Sequence, residues 1–134
     1  MDWKLELVVV PVADQDRAKA FYTDQVGFDL DVDHRAGDFR VVQVTPPGSS
    51  CSIARMRNPD AAGSVQGLHL IVADIEAARS FLAQRGVEVS GLFHFADGGQ
   101  VDGPDPERGD YNTFCSFGDP DGTGWLVQEV GRRG

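Results

Sequence analysis

The sequence predicts an α+β fold built from two βαβββ modules, and two observations indicate it. The segment Val12-Ala13-Asp14, which is followed by Phe21, is repeated 60 residues later as Val72-Ala73-Asp74, which is followed by Phe81. In each copy, apolar and β-branched runs separated by Gly- and Pro-containing turns follow this segment. A fixed-period repeat indicates two copies of one supersecondary unit. A chain of 134 residues suits one compact domain or two such modules that share a core.

The first module starts with an apolar run at residues 5–10, which predicts a strand bounded by Pro11. Asp14 is predicted to cap a helix, because its carboxylate can accept hydrogen bonds from first-turn amides. Apolar side chains recur at helical spacing after Asp14, and Gly27 is predicted to end the helix. Three further strands are predicted at about residues 28–33, 39–45 and 51–56.

The second module repeats this order, with a strand at 68–72, a helix capped by Asp74 that ends near Gly86, and strands at about 87–93, 111–117 and 125–130. Residues 96–110 are rich in Gly, Pro and Asp and predict a long loop, either a tolerated surface connection or a lid or binding loop. The predicted organisation is therefore a first module at 1–57, a linker at 58–65 and a second module at 66–134.

Composition and charge exclude several classes of function. The net charge of −9 and the pI near 4.6 lack the basic face that nucleic-acid binding needs. No apolar run approaches the roughly 18 residues of a membrane helix, and no secretory signal is recognisable, so we expect a cytoplasmic protein that binds neither membrane nor nucleic acid. Cys51 and Cys115 form no CxxC or Cys/His pattern and are expected to be thiols in a reducing compartment.

Two motifs give the chain a resemblance to a known superfamily. They are Pro11-Val12-Ala13-Asp14 with Arg17, Ala20-Phe21-Tyr22 and Val26-Gly27-Phe28, and Asp119-Pro120-Asp121-Gly122 followed by Gln128-Glu129-Val130. With these, nearly the whole chain resembles the vicinal-oxygen-chelate superfamily of glyoxalases, bleomycin-resistance proteins and extradiol dioxygenases. The resemblance implies two modules whose curved mixed sheets surround a cleft, and a homodimer. In the enzymes of this superfamily, His, Glu or Gln from the first and last strands of each module hold a divalent metal.

The residues at the metal-ligand positions of the family depart from that pattern. By the resemblance, these positions fall on Leu7 and Ser52 in the first module and on Gly67 and Leu126 in the second. None of these side chains is an imidazole or a carboxylate, whereas a catalytic metal site usually needs about three such ligands. We therefore expect neither a metal nor another cofactor.

Alternation along the strands extends these positions into a predicted cleft wall. Side chains two residues apart share a face, so Leu7 implies Val9, Gly67 implies His69, and Leu126 implies Gln128. A mostly apolar wall with few polar groups is typical of a site for an organic ligand. The predicted ligand-binding residues are His69, Gln128, Ser52, Leu7, Val9, Leu126, Phe93, Phe95, Tyr111 and Phe114.

Alternative roles stay open for several of these residues. His69 is either a sheet histidine with a backbone partner or a ligand contact and general base, and it is the best candidate for a catalytic residue. Gln128 either is a satisfied polar core group or orients the ligand. The four aromatic residues flank the 96–110 segment and serve either to stack on a planar ligand or to anchor that segment.

Two functions follow from this reading of the chain. The first is binding of a small hydrophobic or planar organic molecule without metal, with antibiotic or toxin resistance by sequestration as the role. The second is a vicinal-oxygen-chelate enzyme, a lyase, isomerase or dioxygenase, that uses either a divalent metal or His69 as acid and base.

Overall fold

The structure is a computed structural model, and it describes residues 1–132. It divides into two compact units. Unit 1 contains Met1–Val65 and Asp119–Thr123, and unit 2 contains Gln66–Gly118 and the chain from Gly124 onward. Each unit has one mixed sheet and one helical segment, which confirms the predicted α+β class with two βαβββ-type modules. No helix within residues 1–132 is long and apolar enough to span a membrane.

Unit 1 contains a four-stranded mixed sheet, here called sheet 1. Its elements are β1 (Leu7–Val12), α1 (Gln15–Ala20), β2 (Asp29–Ala36), β3 (Phe39–Thr45) and β4 (Ser52–Arg57). The strand order is β1-β4-β3-β2, in which β1 and β4 run parallel and the other neighbours antiparallel. Pro11 lies inside β1 instead of bounding it, which an edge strand tolerates because one side of its backbone has no sheet partner.

The helical segment of unit 1 begins as the sequence predicts and ends differently. The Asp14 carboxylate accepts from the amides of Asp16 and Arg17 at 2.9 and 3.2 Å, so the predicted cap is confirmed. Beyond α1 the backbone widens into a π-helical stretch, Phe21–Gln25. Gly27 follows with φ of +84°, a left-handed conformation in which glycine ends helices without a Cβ clash.

Unit 2 contains a five-stranded mixed sheet, here called sheet 2. Its elements are β5 (Leu68–Val72), α2 (Ile75–Gln84), β6 (Phe93–Ala96), β7 (Gly99–Asp102), β8 (Phe114–Gly118) and β9 (Gly124–Glu129). The strand order is β5-β9-β8-β6-β7, with β5 and β9 parallel. The Asp74 carboxylate accepts from the Ala77 amide at 3.1 Å, so the second predicted cap is also confirmed.

Three predicted elements of unit 2 differ in the structure. The strand expected at 111–117 begins only at Phe114, as β8. The strand expected at 87–93 is wrong, since only Val89 bridges to Phe117 and β6 begins at Phe93. Residues 96–110, expected as a loop without secondary structure, include β7, which forms a hairpin with β6. Asp97 and Gly98 join these two strands with φ of +52° and +80°. Two consecutive positive φ angles are those of a two-residue hairpin turn, for which Asp-Gly is a favoured sequence.

The core of unit 1 includes a buried arginine. Arg55 of β4 is fully buried, and its guanidinium carbon lies 3.5 Å from the ring centroid of Tyr22. None of its three side-chain nitrogens has a hydrogen-bond partner within residues 1–132. Burial lowers the pKa of Arg55, while Tyr22 and Asp119 act in the opposite direction. The tyrosine ring is therefore the main contact that stabilises this charge.

Candidate ligand-binding site

Each sheet has one face toward its helical segment and one open face. In sheet 2 the Glu129 carboxylate reaches the Ile75 amide at the start of α2, so the face that carries Glu129 is the helix face. Val127 and Trp125 share that face and are buried. The alternating side chains of β9, Leu126 and Gln128, therefore belong to the open face.

The strand register determines which other residues share the open face of sheet 2. His69 pairs with Leu126, Phe114 pairs with Gln128, and Phe93 pairs with Phe114. Directly paired residues point to the same side of a sheet. The open face of sheet 2 consists of His69, Ile71, Phe93, Phe95, Gln100, Asp102, Phe114, Ser116, Leu126 and Gln128.

Three phenylalanines form one aromatic cluster on this face. The rings of Phe93 and Phe114 stack with centroids 5.5 Å apart and planes 12° apart. Phe95 meets both rings edge-on, at 6.1 and 5.4 Å. Such offset and edge-to-face geometries are favourable for aromatic rings. Because Phe95 is half exposed, the cluster also offers ring surface to a ligand.

A cavity of about 550 Å³ opens beside the cluster. Its wall is formed by Ser90, Gly91, Leu92, Phe93, Gln100, Asp102, Ser116 and Leu126. This volume lies within the range of small-molecule sites. Within residues 68–129, all of which the structure describes, no lysine or arginine lies at an open-face position of sheet 2. The cavity is therefore better suited to a neutral or cationic molecule than to an anion.

His69 and Gln128, the two polar side chains predicted on this face of sheet 2, are both tied to the backbone. Gln128 Nε2 donates to the Tyr111 carbonyl oxygen at 3.0 Å. His69 Nδ1 lies 2.6 Å from the Gly67 carbonyl oxygen. His69 is exposed, so it has a backbone partner without being packed in a core. Both side chains are held in place while one edge of each stays open to solvent.

Tyr111 lies beside this face on the segment that precedes β8. It has a φ of +68°, and its amide donates to the Glu129 carbonyl at 2.9 Å. The next residue, Asn112, exchanges two hydrogen bonds with the backbone of Phe95, at 3.0 and 3.1 Å. An amide side chain thus takes the place of a strand partner where β6 and β8 diverge.

An arginine anchors the segment that carries Tyr111. Arg108 donates to both oxygens of Glu129 and to both oxygens of Glu76 on α2, at 2.8 to 3.1 Å. Hydrogen bonding to Arg108 is the main reason that the pKa of Glu76 falls to about 2. Burial opposes ionisation of Glu129, but the bonds from Arg108 and the Ile75 amide outweigh it and lower its pKa. The segment is thereby fixed against α2 and β9.

The other three predicted residues lie on the open face of sheet 1. Leu7 pairs with Ser52, and Val9 pairs with Ala54. Leu7 and Val9 are 40% and 55% exposed, whereas Ser52 is buried and shares a hydrogen bond with Thr45 at 2.7 Å. Thr45 also bonds to Asp31, in the irregular part of β2. The open face of sheet 1 is thus apolar along β1 and polar beside Ser52.

A second, charged cavity of about 420 Å³ lies in unit 1 near the start of α1. Arg40, one of its lining residues, is bound at 2.7 to 2.9 Å to Asp16 and Asp33. These bonds raise the pKa of Arg40 and lower that of Asp33. Because its central charges already have partners, this cavity is a weaker ligand-site candidate than the one on sheet 2.

The metal that the fold family uses does not fit the residues at the corresponding positions. The observed register sets Leu7 opposite Ser52 and His69 opposite Leu126, while Gly67 precedes β5. In this register the position assigned to Gly67 is taken by His69. His69 is therefore the single imidazole or carboxylate among Leu7, Ser52, His69 and Leu126. Within residues 1–132, no three His, Cys, Asp or Glu side chains are grouped so that they could hold a metal ion.

Sequence reasoning missed three residues of the open face that the structure adds to the cavity. Ser116 follows from Phe114 by strand alternation and could have been found in that way. Gln100 and Asp102 belong to β7, so finding them required reading Asp97-Gly98 as a hairpin turn.

Comparison with known proteins agrees with this architecture. Residues 4–127 match the Glyoxalase/Bleomycin resistance protein/Dioxygenase superfamily. The Bacillus subtilis (strain 168) protein YetH is 31% identical over 126 residues, which cover 91% of this chain and 94% of YetH.

Two solved structures from Streptomyces sp. CB03234 are similar over nearly their whole length. TnmS3, an antibiotic binding protein, has 32% identity and a TM-score of 0.76, with 97% of this chain and 98% of TnmS3 covered. A glyoxalase/bleomycin resistance protein has 33% identity and a TM-score of 0.71, with 94% and 100% covered. The chain belongs to the glyoxalase/bleomycin resistance protein/dioxygenase superfamily, also called the vicinal-oxygen-chelate superfamily, and has its fold.

Proposed function

We propose that this chain is a metal-independent binding protein that takes a small hydrophobic or planar organic molecule on the open face of sheet 2. Its role is to protect the cell by sequestering an antibiotic or toxin. The observation that carries this proposal is the aromatic cluster of Phe93, Phe95 and Phe114 beside a cavity of about 550 Å³.

The chemistry of the open face supports binding over metal catalysis. The half-exposed ring of Phe95, packed against the buried rings of Phe93 and Phe114, offers surface to a planar molecule. The few polar groups, His69 and Gln128 among them, can orient it. The ligand positions of the family's metal carry Leu7, Ser52 and Leu126, which cannot hold a divalent ion. The likeness to TnmS3, an antibiotic binding protein, supports an antibiotic as the ligand class.

One observation favours a second function. His69 lies exposed on the open face with its Nδ1 against a carbonyl oxygen, an arrangement that fixes the ring and suits a general base. The alternative is therefore a lyase, isomerase or dioxygenase of this superfamily that uses His69 as acid and base or binds a divalent metal. Conversion of the bound compound, lost in His69→Ala, would favour it.

We also infer a homodimer in the cytoplasm. Leu5, Leu7 and Val9 alternate along one side of the chain at β1 with 40 to 71% of their surface exposed. β1 is also an edge strand of sheet 1. Exposed apolar edges are usually covered in the assembled protein. Sedimentation equilibrium should give twice the chain mass, and Leu7→Glu should shift the measured mass toward that of the monomer.

Two free thiols, Cys51 and Cys115, support a reducing compartment.

The direct test is a thermal-shift screen of planar aromatic antibiotics, with and without Zn²⁺ or Mn²⁺. We expect compounds that raise the melting temperature equally in both conditions. His69→Ala and Gln128→Ala should each weaken binding of the best compound by about 1–3 kcal/mol, because each removes a buried hydrogen bond in the complex. Gln84→Ala, at an exposed position of α2, is the matched control.

Two results would contradict the proposal. If both site variants bind like the parent protein, the ligand does not use this face. If purified protein carries stoichiometric metal and loses function on chelation, the enzyme alternative gains. Hydrogen exchange adds a local readout. If β7 and the Tyr111 segment close over the ligand, the amide exchange rates of residues 96–110 should fall on binding.

A further inference from the structure

We propose that the open face of sheet 2 selects molecules that donate hydrogen bonds, because backbone carbonyl oxygens hold the donor ends of Gln128 and His69 and leave their acceptor ends outward. The inference rests on the proposed binding function and names the ligand chemistry of that same site. The ligand class is a neutral or cationic planar aromatic compound that bears hydroxyl, amino or ring N–H groups.

The orientation of the Gln128 amide follows from its partner. A carbonyl oxygen can only accept, so the Tyr111 carbonyl, 3.0 Å away, requires the NH₂ end of Gln128 to face it. The Oε1 atom then points away from Tyr111, and no hydrogen bond within residues 1–132 reaches it. Gln128 therefore offers an acceptor and not a donor on the open face.

The Tyr111 carbonyl is itself held in position. The Tyr111 amide donates to Glu129, and Arg108, three residues earlier, bonds to the carboxylates of Glu129 and Glu76. Asp110, the residue before Tyr111, accepts from the Gly131 amide at 2.8 Å. Because the backbone before this carbonyl is tied to β9 and α2, and Asn112 after it is bonded to Phe95 of β6, a flip of the Gln128 amide would set an oxygen against an oxygen.

The same argument applies to His69. Its Nδ1 lies 2.6 Å from the Gly67 carbonyl, so Nδ1 carries the proton of the neutral ring and Nε2 has the free lone pair. Gly67 has a φ of +79°, a left-handed backbone conformation that glycine adopts readily because it has no Cβ. His69 therefore also presents an acceptor to the ligand.

The polar side chains that line the cavity, which do not include Gln128 or His69, are also poor in donors. Asp102 contributes a carboxylate. The Ser90 hydroxyl already donates to Gly91 at 2.8 Å and accepts from the Ser116 amide at 2.9 Å. Among the side chains of the lining, Gln100 and the Ser116 hydroxyl can still donate. Acceptors thus outnumber the side-chain donors that remain, and an acceptor that a bound ligand covers without donating to it is left unsatisfied, which disfavours a ligand that brings no donor.

The test uses two probes that share one ring system, 1-naphthol and 1-methoxynaphthalene. Affinities are measured by ¹H–¹⁵N titration, which also reports whether the amides around Phe93, Phe114 and Gln128 respond. We expect 1-naphthol to bind about five- to tenfold more tightly, the worth of roughly one hydrogen bond. Gln128→Met should reduce that preference by weakening 1-naphthol more than the methoxy probe, while Gln84→Met on α2 should keep it.

A second measurement needs no variant. Long-range ¹H–¹⁵N spectra of the imidazole at pH 8 should show a protonated Nδ1 and a bare Nε2 for His69. A proton on Nε2 would overturn the His69 part of the inference. Equal affinity for the two probes, or tighter binding of the methoxy probe, would overturn donor selection and leave the binding function standing. Absence of any response at the open face to either probe would remove both.

Discussion

Replacement of Glu129 by Gln is the perturbation whose effect the structure specifies most closely. Glu129 is 1% exposed, on the helix face of β9. Its two oxygens accept from the Ile75 amide at 3.1 Å, from Arg108 at 3.1 and 2.9 Å, and from Arg132 at 3.3 Å. Glutamine keeps the size of the side chain but supplies one acceptor oxygen and one NH₂ group, so at least one donor would face another donor.

The expected cost follows from those contacts. Loss of one partner of a buried ion pair costs about 3–5 kcal/mol, and a hydrogen bond to a charged group contributes about 1.5–3 kcal/mol. Arg108 keeps its two bonds to Glu76, and the Gln oxygen can still accept, so the lower end applies. We expect Glu129→Gln to lower the free energy of unfolding of the protein by about 2–3 kcal/mol.

Urea denaturation monitored by circular dichroism measures this change. With a slope of about 2 kcal/mol per molar urea, the midpoint should fall by about 1–1.5 M. Glu88→Gln is the matched control, because Glu88 is exposed and should shift the midpoint by less than about 0.3 M. If Glu129→Gln behaves like the control, the cluster around Arg108 does not stabilise unit 2 and the reasoning is refuted.

Three further predictions concern other charged or reactive groups. Arg55→Met should leave the unfolding free energy unchanged or raise it by about 1–2 kcal/mol in a melt, because it removes a buried guanidinium whose three nitrogens have no hydrogen-bond partner within residues 1–132; a loss above about 2 kcal/mol would contradict this. The lowered pKa of Glu76, about 2, stabilises the fold above the ordinary value of 4.5, so stability should decline as pH falls from about 5 to 2, and less steeply in Arg108→Gln. Burial raises the pKa of Cys115 to about 11, so a thiol reagent at pH 8 should modify Cys51 first, as a mass-mapped time course would show; equal rates would contradict this.

The elements that the sequence predicted well are those whose signals are local. Asp14 and Asp74 act as helix caps because a carboxylate followed by free amides has the required geometry wherever the chain lies. The strands at 39–45 and 68–72 match β3 and β5, since each is a β-branched run between turn residues. The repeat itself also appears in the sequence, and with it the fold class.

The elements that were predicted wrongly depend on contacts between distant segments. Residues 87–93 have strand composition, but the Ser90 hydroxyl bonds to the Ser116 amide in place of a continuous ladder. Asn112 pairs through its side chain with Phe95, so β8 begins at Phe114 and not at 111. Nothing in the local sequence distinguishes such side-chain substitutes from ordinary strand pairing.

For the candidate site, the sequence by itself determined which side chains share a face. Alternation along a strand has a period of two, so Leu126 with Gln128 and Phe93 with Phe95 follow from spacing alone. The sequence also predicted positions without metal ligands at Leu7, Ser52, Gly67 and Leu126 from residue type, whereas the observed register sets the imidazole of His69 opposite Leu126.

Only the tertiary structure decided how those faces are completed. The register set His69 opposite Leu126, formed the cavity with Gln100 and Asp102 of β7, and brought carbonyl oxygens to Gln128 and His69. These contacts join residues far apart in the chain or depend on positive φ angles. These contacts form only when the chain folds and brings the partners together, so no local sequence pattern predicts them.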